Sequence, residues 1–192
     1  VSLDEPLGSR AHAARLGGRG DEGWDAHRMR VARIDEDEWE RLRDARLRAV
    51  TGEPEIYGWA LARETTFREQ HWRMRLRGAP WWVAEEAGED VGLVQLVVEP
   101  GAPADERHVL ALWVDPSHRR SGHGAALVRA AVDAAGADGA ARVTAWVPEG
   151  DGAEGLAAAV GFVRTGERVP APRRPGVAEV RWVRPVVVPP PS

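Results

Sequence analysis

One stretch of the chain carries residues whose order suits the binding of an anion: Ala111-Leu-Trp-Val-Asp-Pro-Ser-His-Arg-Arg-Ser-Gly-His-Gly-Ala-Ala-Leu127. An apolar strand runs into a turn rich in Arg and Gly, and an amphipathic helix starts at once. Gly122 and Gly124 remove side chains where a backbone would have to approach a ligand. Successive N–H groups at the start of a helix form a concave positive site, reinforced by the helix dipole. Such a site suits a pyrophosphate. The competing reading is a plain strand-to-helix turn whose glycines serve packing. In a chain this rich in Arg, Gly and Ala, the pattern Arg-x-x-Gly-x-Gly/Ala is expected on the order of once by chance. A dinucleotide-binding fingerprint would need a third Gly and an acidic residue closing the next strand. Leu127 stands at the first of these positions, and the next strand ends at Val147-Pro148.

Composition removes other chemistries. The 192 residues include no Cys, which excludes disulfides, thiolate-bound zinc, iron–sulfur clusters and thiol nucleophiles. All 26 basic residues are Arg, so Schiff-base and P-loop lysine chemistry are excluded as well. A formal net charge of -4 argues against nucleic acid as a partner. No apolar run approaches the roughly 20 residues that cross a bilayer. Residues 1–28 lack the apolar core of a signal peptide, and the expected location is cytoplasmic. With 43% hydrophobic and 29% charged residues, one globular domain is expected over 28–186, after a mobile leader at 1–27 and before a Pro-rich tail at 187–192.

The elements that must position the turn follow from periodicity. Met29 to Ile34 alternates as a strand. Asp35 with Glu38 forms a capping-box pattern for a helix through about Val50. Thr51 to Pro54 breaks it, and a second helical region is interrupted near Gly58 and resumes with Thr66 as N-cap through Arg77. Trp81–Glu86 and Val91–Val98 flank Gly88-Glu89-Asp90 as a hairpin. Arg107–Val114 is a strand, Gly124–Ala135 a helix, Arg142–Val147 a strand and Glu154–Val160 a short helix. Phe162–Glu167 and Ala178–Arg184 are the last strands. Trp39, Trp72 and Trp82 are expected in the core. The fold class is α/β: about seven strands in a mixed, largely antiparallel sheet, with about four helices on its faces.

On these residues the chain resembles the GNAT superfamily of acyl-CoA N-acyltransferases. In that family Gln/Arg-x-x-Gly-x-Gly/Ala follows the fourth strand and holds the pyrophosphate of acetyl-CoA. Arg119-Arg120-Ser121-Gly122-His123-Gly124 fits the pattern without a gap, and the strand before it reads Leu112-Trp113-Val114-Asp115-Pro116. Ala153 to Phe162 looks like the family's fourth helix with its closing Val160-Gly161-Phe162, and Met29 to Val50 like its first strand and helix. The resemblance spans roughly residues 28–186.

The resemblance implies an acetyl-CoA-dependent N-acetyltransferase. It would act by direct transfer to a primary amine of a small molecule or peptide, as a monomer or homodimer without a metal. Main-chain groups of Leu112, Trp113 and Val114 would pair with the pantetheine arm. N–H groups from Arg120 through Ser121, Gly122, His123 and Gly124 to Ala125 would hold the pyrophosphate, with Arg119 opening the motif. The position where a base often sits is His108, and Glu106 shares its strand face with Leu110. The loop between the first two helices implies an amine site lined by Glu53, Glu55, Tyr57 and Trp59; helix-start acids and core aromatics are the competing reading there. His118 and His123 are expected at the surface. The family's acid on the fourth helix is often Tyr, and the matching residue here is Ala157. That departure motivates the alternative of a catalytically impaired acyl-CoA-binding regulatory module.

Overall fold

Trp81 and Trp82 point to opposite sides of one strand, and each anchors a separate core. This computed structural model describes residues 29–150, 152–172 and 174–186, and of Glu55, Gly58 and Trp59 only the backbone. The expected leader and the expected tail lie outside the described residues.

The strands are β1 (Arg30–Arg33), β2 (Trp81–Glu86), β3 (Glu89–Val97), β4 (Glu106–Val114), β5 (Arg142–Pro148), β6 (Val163–Pro170) and β7 (Ala178–Pro185). The helices are α1 (Trp39–Gly52), α2 (Pro54–Glu64), α3 (Glu69–Gly78), α4 (His123–Ala137) and α5 (Gly152–Ala159). The sheet order is β1-β2-β3-β4-β5-β7-β6, and β4 with β5 is the parallel pair; every other neighbouring pair is antiparallel. The mixed, largely antiparallel sheet expected from the sequence is present.

Three local expectations are corrected. Helix α2 runs through Gly58 without a break, because Pro54 at its start pre-sets the first turn and the break comes only at Thr65. The N-cap of α3 is Arg68, whose N–H donates to His71 Nδ1 at 3.0 Å. Thr66 instead donates its hydroxyl to Arg63 O at 2.7 Å, closing the end of α2. The β2–β3 turn is tighter than Gly88 to Asp90. Ala87 (φ 52°) and Gly88 (φ 84°) form the two-residue connection, with both φ values positive as the twist of a short hairpin favours. The expected reciprocal contact at Asp35 is present, its N–H donating to Glu38 Oε2 at 2.9 Å.

Helices α4 and α5 pack on the side of Trp82, Val94, Val109, Val143 and Trp182. Helices α1 and α3 cover Trp81, Val83, Leu93 and Trp113 on the other side. A buried ion network ties the first three helices together. Glu64, 1% exposed, accepts from Arg46 Nε (2.9 Å) and Arg75 Nη2 (2.9 Å). Burial alone would push the Glu64 carboxyl up; the two guanidinium groups together overcome that and hold it below the usual carboxylate range. Arg46 also lies over the ring of Tyr57, 4.9 Å from its centroid, and so fixes the tyrosine against β4.

Candidate active site

The parallel ladder between β4 and β5 is short. It consists of Glu106↔Arg142, Arg107↔Val143 and His108↔Thr144, although β4 continues to Val114 and β5 to Pro148. Beyond His108 no strand among the described residues pairs with the β5-side edge of β4. Asp115 N–H donates to Val91 O at 2.8 Å on β3. By antiparallel alternation Trp113 also turns its main-chain groups to β3, while Leu112 and Val114 turn theirs to the open edge. The main-chain groups that face the open edge are therefore those of Leu112 and Val114, and Trp113, expected with them, faces β3. Both carbonyls already accept side-chain donors: Tyr57 Oη–H reaches Leu112 O at 3.1 Å and Arg119 Nε–H reaches Val114 O at 3.0 Å. Arg119 also pairs with Glu53, so its guanidinium is tied to α2's approach and not directed into the cradle.

The cradle lies where β4 feeds α4. Asp115 caps a single 3-10 turn over Pro116–His118, accepting from Ser117 N–H at 2.9 Å. Arg120 (φ 65°) and Gly122 (φ 92°) then adopt left-handed backbone, turning consecutive amides inward before α4 begins. Among the described residues, none of the N–H groups of Arg120, Ser121, Gly122, His123, Gly124 and Ala125 donates to a protein acceptor; the first α4 bond is Ala126 N–H to Gly122 O at 3.0 Å. Six consecutive N–H groups without a protein acceptor among the described residues, at a helix N-terminus, fit an anionic group. The two glycines have different reasons. Gly122 is required by its φ. At Gly124 a Cβ would lie 3.1 Å from Leu156 Cδ2, so this glycine serves the packing of α4 on α5.

His123 corrects a second expectation. It is 2% exposed and not a surface residue, because it is the first residue of the buried α4 stripe that continues at Leu127 and Ala131. Its Nδ1–H donates to His118 O at 3.1 Å and its Nε2 lies 3.3 Å from Glu86 Oε2, which anchors the cradle loop to β2. His118 is half-exposed, 3.8 Å from the same carboxylate oxygen.

At the point where β4 and β5 part, His108 and Glu106 share a face with Leu110, as alternation requires, since Val109 enters the α4 core. A bulge at Ala111 (φ 55°), opposite the register shift in β3, then inverts the alternation, and Leu110 is left 48% exposed beside the opening. His108 is buried, with Nδ1 2.9 Å from Thr144 Oγ1 and 3.5 Å from Glu99 Oε2. Burial holds its imidazole below the ordinary histidine range, against the opposing pull of Glu99. Glu106, also buried, is committed to Arg181 Nη2 (2.5 Å) and Arg142 Nε (3.3 Å). A cleft of about 420 Å³ adjoins the pair, walled by Glu99, the 100–103 loop, Glu106, Trp146 and Arg181.

The residues expected to line an amine site divide. Glu53 pairs with Arg119 and Tyr57 is largely buried under Arg46, whereas the side chains of Glu55 and Trp59 lie outside the described residues. Of the two carboxylates that wall the cleft, Glu106 and Glu99, the sequence reading missed Glu99. Extending the β3–β4 register two places beyond Val97↔His108 puts it across from Glu106, a signal available from the hairpin count. Ala157 is buried in α5 against the α4 core.

The model of the Acetyltransferase (GNAT) family matches residues 32–162, and the chain belongs to that family. Solved structures share the fold. The GNAT acetyltransferase from Streptococcus pneumoniae is 16% identical with a TM-score of 0.69, covering 83% of this chain and 100% of that one. A GCN5-related N-acetyltransferase from Kribbella flavida is 22% identical with a TM-score of 0.64, covering 82% of this chain and 97% of its own. The yncA protein from Salmonella typhimurium, solved with its cofactor acetyl-CoA, is 17% identical with a TM-score of 0.66 and coverages of 85% and 96%. A search of the curated proteins found no match.

Proposed function

We propose that the protein moves an acetyl group from acetyl-CoA to a primary amine of a small molecule or peptide, by direct transfer in a ternary complex. One observation carries this reading. The ladder stops at His108↔Thr144, and from there the open β4 edge passes the bulge at Ala111, then Leu112 and Val114, and leads to the amides of 120–125. A long ligand with a pyrophosphate at one end and an amide-bearing arm at the other is complementary to that track. Arg120 makes no ion pair among the described residues and adds positive charge at the phosphate end.

Acetyl-CoA supplies an activated thioester carbonyl. The chain's own residues must then handle two protons, because an ammonium becomes an amide nitrogen that has lost two of them. His108 takes the first before attack; held neutral by burial, it is competent to accept at neutral pH. The second leaves with the thiol, whose low basicity allows departure without a protein acid, consistent with Ala157 in α5. Glu106, neutralised by two arginines, orders Arg181 and Arg142 and does not take the proton. The acceptor enters the cleft beside Glu99 and Trp146, a carboxylate and an aromatic wall suited to an ammonium.

Release of free CoA thiol, measured with acetyl-CoA and a panel of primary amines, tests the reading. Turnover with at least one amine supports it. Thermal stabilisation by acetyl-CoA without turnover on any amine would instead favour the regulatory module that Ala157 motivates. Neither stabilisation nor turnover would remove the cofactor assignment.

A further inference from the structure

Glu99 lies just past the end of β3, and three groups from three other strands meet its carboxylate. Trp146 Nε1–H donates to Oε1 at 3.3 Å, Arg181 Nη2 donates to Oε2 at 3.1 Å, and His108 Nδ1 stands 3.5 Å from Oε2. Arg181 is itself stacked over the Trp146 ring, 5.4 Å from its centroid, which fixes both donors. The carboxylate is therefore held from β5 and β7 while facing the one ring nitrogen that also contacts Thr144.

We propose that Glu99 is the positioning residue for His108: it holds the ring by its Nδ1–H edge, together with Thr144 Oγ1, and so leaves Nε2 as the nitrogen that takes the amine proton. This rests on the function proposed above. Nδ1 makes its hydrogen bond with Thr144 Oγ1, and a carboxylate 3.5 Å from the same nitrogen favours the proton there and raises the basicity of the other nitrogen. The charged groups around His108 favour Glu99 over Glu106 for this task. Glu106, from β4 itself, is shared between Arg181 and Arg142. Arg181, from β7, is shared between Glu99 and Glu106, with Glu167 a further 3.9 Å from its Nε. Glu106 thus has two cations against its charge and Glu99 has a share of one. The uncompensated negative charge beside Nδ1 is that of Glu99.

Glu99→Gln keeps the size of the side chain and an oxygen for Arg181 or Trp146 but removes the charge. Two readouts decide. In the free protein, the His108 ring resonance, identified by its loss in His108→Gln, is titrated by NMR; its midpoint should move to lower pH in Glu99→Gln. In the transferase assay, kcat should fall on the order of 10- to 100-fold with KM for acetyl-CoA unchanged, and the acidic limb of the pH–rate profile should move the same way. Glu99→Asp, which keeps the charge, should recover most of both and covers the case in which Glu99→Gln does not fold. A His108 midpoint unaffected by loss of the charge overturns the proposal. If no amine is acetylated by the unaltered protein, the functional reading has failed, and the NMR titration still decides whether Glu99 governs the ring.

Discussion

The hydroxyl of Tyr57 donates to the carbonyl of Leu112 at 3.1 Å, and this joins α2 to the stretch of β4 that has β3 on one side and, among the described residues, no strand on the other. The only tyrosine of the chain thus occupies an acceptor that an added strand-like ligand would use. Its ring is fixed from above by Arg46, so the contact is built into the packing of the first two helices.

Tyr57→Phe removes that internal donor and leaves the ring in place. Acetyl-CoA should bind a few-fold more tightly, in line with the roughly 0.5–1.5 kcal/mol net worth of one hydrogen bond. Calorimetric titration checks this, and weaker binding would mean that the hydroxyl supports the ligand.

The two cradle glycines should fail in different ways. Gly122→Ala forces a side chain into left-handed backbone at a cost of about 1–2 kcal/mol and should disorder the amides, weakening acetyl-CoA binding out of proportion to the stability lost. Gly124→Val presses on Leu156, so its main effect should be on stability, about 1–3 kcal/mol, because overpacking is relieved only by moving α5. Denaturation and ligand titration on both variants separate the two.

His108→Gln should lower the rate by roughly 10²- to 10⁴-fold with acetyl-CoA affinity little changed. Because burial depresses the imidazole's folded value, the acidic limb attributed to it should fall below the ordinary histidine range. Wild-type turnover with an unmoved limb in the variant would make His108 structural.

The same depression has a sign for stability. The folded state binds fewer protons at His108 than the unfolded chain does. The histidine's contribution is complete above the unfolded value, near 6.5, and is lost as pH falls through the lower folded value. Midpoints of thermal unfolding between pH 7 and 5 should therefore decline more steeply in the native protein than in His108→Gln.

Glu64→Gln leaves the Arg46 guanidinium buried without its counter-charge. A loss of about 3–5 kcal/mol is expected, measured by chemical denaturation. A change under 1 kcal/mol would show that Arg75 and the Tyr57 ring suffice to hold α1, α2 and α3 together.

Much of this was legible in the chain because it depended on local period. The alternating strands and the Ala-rich α4 are properties of neighbouring residues. What was not legible depended on elements meeting. His123 sits in a polar loop sequence, yet its spacing to Leu127 and Ala131 puts it under the cradle. Gly124 is explained only by Leu156 on α5, and Thr66 by a carbonyl of the helix before it. Glu99 becomes a site residue only after the β3–β4 hairpin brings it to His108.

The parallel seam of the sheet is three residue pairs long, whereas β5 and β7 are joined over seven. The sheet is therefore two antiparallel panels, β1 to β4 and β5 with β7 and β6, which meet at a seam ending at His108 and Thr144. Anything that laces onto the free edge of β4 extends the sheet past the end of that seam. Occupancy of the site would then be read far from it, as slower amide exchange along both panels, and the substrate would act as a structural member of the fold for as long as it stays bound.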